Sequence, residues 1–407
     1  MMSTEDGPKF AILGGGIGGL AAAAFLRAKG LDSDVYEQAD ALTEVGAGLV
    51  IAPNAARLLR RLGVLDRFIE RAVQMEIGWE FRRWDNGAVL SAESLEEECM
   101  RLYGEHTYTA HRADLLDALR SAVPEHSIHL GKRCVSVEFE DDQAVLQFQD
   151  GETVRPDILI GADGVHSRVR TAIVGPTHAG ESGICAFRAL VPAEKAPDFA
   201  KRRAQTLWIG PDHHLVHYPV SGEMYVNLVA FAPAGANSVE SWTATATVEE
   251  LLDEFAGWDP RLVELIRAAD TPGRWALLDR EPLDRWNRAN ATLLGDAAHP
   301  MFPFFAQGAA QAIEDGAVLA LCLAADRDNP VAALRRYEQL RRPRTARLQQ
   351  VSHGRSHINH LPDGPEQQAR DLAYSKADPL EANGWIYEYD PEVAVAASGN
   401  EPSIEHS

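Results

Sequence analysis

Apolar and polar positions follow three different rhythms along this chain. KFAILG, from Lys9, is a short continuous apolar run and predicts a buried strand. GLAAAAFLRAK, from Gly19, continues as an alanine-rich helix, and DSDVYE predicts a second strand ending at Glu37. That is a β-α-β unit at the start of the chain. From Cys134 the period shortens to two. CVSVEFE, AVLQFQ and ETVRPDILIG read as strands joined by DDQ and by the hairpin signal Asp150-Gly151. A second β-rich region holds TLWIG, HHLVHYPV and MYVNLVAFA, with Ser221-Gly222 at the turn between the last two. Strands rich in tryptophan, tyrosine and valine suit an antiparallel sheet with one face covering a cavity. ATLLG, from Ala291, is again an apolar strand, and a helix apolar over one broad face begins near Gly308. Beyond about Pro362 the tail is polar and weakly patterned. Its WIYEYDPEV segment could dock, and the last ten or so residues read as disordered.

Nucleotide-type signals therefore fall at the start, middle and end, with a separate sheet between the last two. The predicted fold is α/β: a Rossmann-like cofactor domain interrupted by a mixed or antiparallel β-sheet substrate domain with helices. Residues 8–75, 100–182 and 275–355 form the discontinuous cofactor domain. Residues 76–99 and 183–274 form the substrate domain, and residues 356–407 are a C-terminal segment.

Composition narrows the function. The chain has 407 residues, 45% hydrophobic and 24% charged, as in a globular enzyme. Lysine plus arginine number 39 against 60 acids, a formal charge of −21. Such a surface repels phosphate backbones and anionic lipids, which sets nucleic-acid and membrane-surface partners aside. Cys99, Cys134, Cys185 and Cys322 lie far apart, with no CxxC pair and no histidine cluster at zinc spacing, so they read as buried thiols in a reducing cytosol and no metal site is expected. MMSTEDGPK lacks the basic and apolar regions of a secretory signal, and no apolar run approaches bilayer-spanning length. A cytoplasmic protein is the expectation, with a homodimer left open.

Gly14-Gly15-Gly16-Ile17-Gly18-Gly19 fits GxGxxG between a strand and a helix. Gly14, Gly16 and Gly19 permit a tight turn whose amides approach a pyrophosphate at the helix N-terminus. Glu37 lies 18 residues beyond Gly19, where a carboxylate can accept from ribose hydroxyls. ILIGADGVHSRVR runs a strand into Asp163-Gly164, and LLGDAAHPMFPFFAQG runs another into Gly295-Asp296. Either acid can reach the polyol of a long dinucleotide, or simply cap a turn.

The trio GxGxxG, DG and GD, in this order, resembles the flavin-dependent aromatic hydroxylases over about Phe10 to Gln350. The salicylate, 3-hydroxybenzoate and 6-hydroxynicotinate hydroxylases are the most similar branch. The resemblance implies FAD as cofactor, NADH or NADPH as cosubstrate, O2, and a small aromatic substrate hydroxylated through a flavin 4a-hydroperoxide. It also implies the site residues. Gly14, Gly16, Gly19 and Glu37 match the ADP-binding turn, and Arg112 matches an arginine that contacts FAD from a helix start. Cys134 falls where the family's strand backbone brackets adenine. Asp163 matches the DG motif and Asp296 the aspartate that binds the ribityl chain. Pro303 sits where a proline approaches the reacting ring, while Gly308 and Ala309 aim helix amides at the flavin N1–C2=O edge. His299 reads as structural.

On the HHLVHYPV strand, His214, Val216 and Tyr218 share one face and His213, Leu215 and His217 the other. His214 and Tyr218 keep the spacing that the resembled hydroxylases use to bind or activate a substrate hydroxyl or carboxylate. Val50 stands where some nicotinate-type relatives carry a histidine, which disfavours a hydroxynicotinate. Phe302, Phe304 and Phe305 could line the pocket or pack the core, and Arg188 could pair with a substrate carboxylate or join a structural ion pair. The expected function is hydroxylation of a small phenolic or hydroxypyridine carboxylate. The rivals are a tailoring monooxygenase or epoxidase of a larger aromatic or polyene substrate and a non-catalytic binding protein of the same fold.

Overall fold

A computed structural model describes residues 9–42, 48–177, 180–234 and 245–398. Five parallel strands form one sheet in the order Ala291–Leu293, Ile158–Gly161, Phe10–Leu13, Ser33–Tyr36, Ile128–His129. The central strand, Phe10–Leu13, is fully buried, as an apolar run between two covered faces requires. The helix Ile17–Ala28 covers one face, packed closely on Gly308–Ala325: a side chain at Gly316 would meet the Ala22 backbone nitrogen at 2.9 Å. Small residues on both helices permit that approach.

A second, seven-stranded sheet is mixed. It runs Gly273–Asp279, Gly180–Pro192, Tyr225–Pro233, His213–Val220, Ala204–Gly210, Ile77–Arg83, Val89–Ser94. One face is backed by Val248–Glu254 and Pro260–Arg267, whose Leu251, Leu262 and Leu265 join Phe187, Trp208 and Leu215 in a closed core. The other face looks toward the parallel sheet, and the fold is α/β with these two sheets on either side of a cavity.

Three expectations need correction. ETVRPDILIG is two strands, not one. Thr153–Val154 closes a hairpin, and Ile158–Gly161 joins the parallel sheet. Pro156 between them has no N–H to continue a ladder. The tail is not weakly structured over its described part: it folds into Pro365–Tyr374, Pro379–Ala382, Gly384–Tyr387 and Pro391–Ser398. WIYEYDPEV docks through its backbone, with Arg57 donating to the Tyr387 and Tyr389 carbonyls and Arg344 to those of Trp385 and Ile386. Finally, Gly308–Ala325 has the length and composition to cross a membrane, but 72% of it is buried inside the protein, as in a core helix. The disorder expected of the last ten residues falls mostly outside the described residues, as does most of the N-terminal MMSTEDGPK.

Candidate active site

Between the sheets lies a cavity of about 1320 Å³, larger than the several hundred Å³ that one small ligand fills. Its wall contains Gly14, Gly16, Glu37, Arg112, Cys134, Asp163, Asp296, Pro303, Gly308 and Ala309 at one end and His214 and Tyr218 at the other. Of the cofactor-binding residues selected from the sequence, Gly19 lies off the wall.

The glycine turn is shaped by close approach. Gly14 has φ +109°, and a Cβ there would sit 2.3 Å from the Ala162 carbonyl oxygen. At Gly19 a Cβ would lie 1.9 Å from the Gly14 oxygen, so Gly19 packs the helix onto the strand rather than lining the cavity. The Glu37 carboxylate accepts from the Gly15 and Ala39 amides at 2.7 and 2.9 Å, which holds it across the turn. Asp163 caps a helix: its oxygens take the Ser167 hydroxyl and the Arg168 and Val169 amides. Burial raises its pKa and those bonds oppose the rise. Cys134 is buried, its thiol pushed up to about 11 by burial and by Asp163, so it offers no thiolate nucleophile. Asp296, by contrast, is exposed to the cavity on the Gly295–Ala297 turn.

Beneath that turn runs a buried polar network. The Asp315 carboxylate meets His299 Nε2 at 2.6 Å, the Gly295 amide at 2.9 Å and Arg341 Nε at 2.7 Å. Arg341 also reaches Glu314 and the Gln311 side chain; Glu314 is held as well by Asn54 and Arg344. Burial alone would raise Asp315, but His299 and Arg341 outweigh it and bring the carboxyl to about 2. His299 is therefore structural, holding the turn that presents Asp296.

Two helices open on the cavity with bare N-termini. Gly16 before Ile17–Ala28 and Gln307 before Gly308–Ala325 make no side-chain cap bond, and Cβ atoms at Gly16 and Gly308 would meet nothing within 4 Å. Uncapped amides facing open space on two long helices suit a group with anionic and carbonyl oxygens at both ends. A dinucleotide fits this cradle, and the bare end of Gly308–Ala325 beside Asp296 and Pro303 fits a flavin carbonyl edge.

At the far end the period-two pattern of His213–Val220 is realised. His213, on the back face, contacts Glu254 at 2.9 Å, and His217 accepts from Trp208 Nε1 at 3.2 Å. His214, Val216 and Tyr218 face the cavity. His214 is stacked on Phe231 at 4.3 Å and edged by Phe304 at 5.0 Å. Burial holds Tyr218 above its usual range, with Arg188 opposing, so the phenol stays protonated. Val50, Phe302 and Phe304 line the cavity; Phe305 lies behind it, under Arg355 at 4.7 Å. Arg188 is half-buried on the cavity wall with its guanidinium 4.6 Å from the Trp275 ring, and its Nε is buried without a partner among the described residues. Burial lowers its pKa to about 10, Tyr218 opposing and Arg112 adding to the fall. A structural ion pair, the alternative weighed for Arg188, is thus not what its surroundings supply.

Gln205 and Trp79 were missed in the sequence, and both line the cavity. Gln205 is two residues from Leu207, also on the wall, so strand alternation would have found it once AQTLWIG was assigned. Trp79 carries no such signal, because it sits at φ +39° in an irregular strand. The four cysteines are free and buried, and the described residues hold no metal-ligand cluster.

A dinucleotide cradle merging into an aromatic-lined chamber defines an FAD-dependent monooxygenase of the aromatic hydroxylase class. Comparison with known proteins places it further: residues 9–352 match the family described as FAD binding domain, and the chain belongs to that family. It is 40% identical over 387 residues to a 3-amino-4-hydroxybenzoate 2-monooxygenase of Streptomyces platensis, covering 95% of this chain and 97% of that one. It is 37% identical to a 6-hydroxynicotinate 3-monooxygenase of Pseudomonas fluorescens, with 86% and 91% covered. Among solved structures, a salicylate hydroxylase substrate complex superposes with a TM-score of 0.83 at 26% identity, covering 98% and 100%. Klebsiella pneumoniae HpxO complexed with FAD and uric acid gives 0.81 at 29%, covering 96% and 97%.

Proposed function

We propose that this enzyme uses NADH or NADPH and O2 to hydroxylate a small hydroxy-aromatic carboxylate of the aminohydroxybenzoate or hydroxybenzoate kind. One observation carries the reading: a half-buried arginine with no carboxylate partner among the described residues, Arg188, and a neutral histidine, His214, open into the same apolar chamber as Tyr218. FAD, when bound, supplies the redox chemistry and activates oxygen. Gly14, Gly16, Glu37 and Arg112 hold its dinucleotide end in this proposal, Cys134 its adenine through backbone, and Asp163 shapes the DG turn. Asp296 holds the ribityl chain, and Pro303, Gly308 and Ala309 border the ring.

The protein's own residues do the rest. Arg188 takes the substrate carboxylate in a charge-assisted bond that replaces lost hydration. His214 accepts from the ring hydroxyl, and withdrawal of that proton makes the ring more nucleophilic. Tyr218, protonated throughout, donates to a substrate oxygen. Phe231, Phe304, Val216 and Val229 exclude water from the chamber. The relatives' printed substrates, 3-amino-4-hydroxybenzoate and 6-hydroxynicotinate, both pair a carboxylate with a ring hydroxyl, which supports the same chemistry here.

Titration of the FAD-loaded protein with 3-amino-4-hydroxybenzoate and with its carboxamide, followed by the flavin absorbance, tests this reading. The acid is expected to saturate a spectral change and the amide to bind at least about tenfold more weakly, the loss of one charged hydrogen bond. Equal binding of both would remove Arg188 from the site.

A further inference from the structure

The strand that carries His214 is tied to a segment 146 residues away. His214 Nδ1 lies 2.6 Å from Nε2 of His360, and the two rings are 4.8 Å apart between centroids. His360 closes the C-terminus of Pro330–Asn359, its amide donating to the Ser356 and His357 carbonyls. Its own carbonyl accepts from the Asp212 amide in the turn before His213–Val220. Both backbones are therefore pinned where the rings meet, and Phe231 and Phe304 fix the plane of His214. His214 is fully buried from bulk solvent on the cavity wall, whereas His360 is partly exposed.

We propose that His214 and His360 form a two-imidazole relay that carries the proton of the bound substrate's hydroxyl from the cavity to the protein surface. The proposal rests on the reading that a hydroxy-aromatic acid binds against His214. A hydrogen bond between two imidazoles needs one N–H and one lone pair. When His214 Nδ1–H donates to His360, His214 Nε2 is left as a lone pair, and no protein group among the described residues is bonded to it. The hydroxyl O–H bond breaks as an N–H bond forms at Nε2. The Nδ1 proton passes to His360 Nε2, and the proton on His360 Nδ1 leaves to water. The reverse transfer resets both rings when the oxygen is reprotonated.

The surroundings suit passage rather than storage. The groups acting on His214 besides burial are His360, His213 and Arg355; those acting on His360 are His213 and His357, and no carboxylate is among them. His213 faces away to Glu254, and Arg355 is held over Phe305 and by the Tyr374 hydroxyl. Burial holds His214 well below the usual histidine range and His360 near 4, and no carboxylate among the described residues stabilises a lasting imidazolium. His360 is a positioning residue in this scheme, since it acts through His214.

The test uses FAD-loaded wild type, His360→Gln and His360→Ala with 3-amino-4-hydroxybenzoate as the phenolic probe. Ionisation of the bound phenol is followed by its absorbance after a pH jump. Gln keeps a hydrogen bond but cannot relay; Ala leaves space for added imidazole. In both variants the expected result is a probe dissociation constant within about threefold of wild type and ionisation slowed about 100-fold, the lower range for one acid–base group. Imidazole is expected to restore the rate in His360→Ala. Wild-type ionisation rates in both variants would overturn the relay alone. A wild-type enzyme that binds the probe but never ionises it, or does not bind it, would overturn the relay together with the reading of the site.

Discussion

Two sets of buried polar groups flank the cavity, and the fold treats them oppositely. Under the Gly295–Asp296 turn, Glu314, Asp315, Arg341 and His299 compensate one another within 2.5–2.7 Å. Across the cavity, His214 is buried and Arg188 half-buried, and both line the chamber with bonding capacity directed into it. A buried charge without a partner is costly, and a folded chain retains one where a ligand supplies the missing half. In the proposed function, the satisfied set holds the backbone that presents FAD, and the set with spare bonding capacity takes the substrate.

That contrast can be broken by substitution. A large effect is expected of Arg341→Met, which removes the cation that Glu314 and Asp315 share: a loss of about 3–5 kcal/mol in chemical unfolding, with flavin released in parallel. His214→Gln is expected to lower kcat/KM by at least about 100-fold while the unfolding midpoint stays put. Arg188→Met, in the same test as Arg341→Met, is expected to leave stability unchanged or raised, because it removes an uncompensated charge. Its KM for carboxylate substrates is expected to rise about 10- to 100-fold. A destabilisation at Arg188 equal to that at Arg341 would erase the distinction.

The effects of pH run in opposite senses for two sets of buried groups. Burial lowers His217 to about 3 and His360 to about 4, so below pH 6.5 the unfolded chain takes up protons that the folded one refuses. Stability is expected to fall as pH drops from 6.5 toward 4. Glu93 is raised to about 8 by burial, Asn383 opposing, so the folded chain keeps a proton that the unfolded chain releases above 4.5. Stability is expected to fall as pH rises from 4.5 to 8 on that account, and Glu93→Gln should flatten this limb when unfolding is followed across pH.

The cofactor half was readable because it depends on local geometry. Gly14 and Gly19 are needed by contacts within a few residues and one strand crossing, and Asp296 follows a strand end directly. That His214 and Tyr218 share one face was readable from strand alternation, and the resemblance to the hydroxylases singled them out. The partnership of His214 with His360 was not, since no local pattern encodes a contact across 146 residues. Nor does a sequence disclose that Arg188 lacks a carboxylate among the described residues, which depends on every segment around it. The C-terminal helices did carry signals that were passed over. Pro365, Pro379 and Pro391 each stand at a helix start, and Asp378 caps the second of these helices.

The most direct measurement is NADH and NADPH oxidation by the FAD-loaded enzyme, with product analysis, across small hydroxy-aromatic acids and several larger phenols. The account predicts strong stimulation by one small acid, 3-amino-4-hydroxybenzoate among the first to try, with a hydroxylated product. Stimulation and product only with large phenols, and none with any small acid, would contradict it.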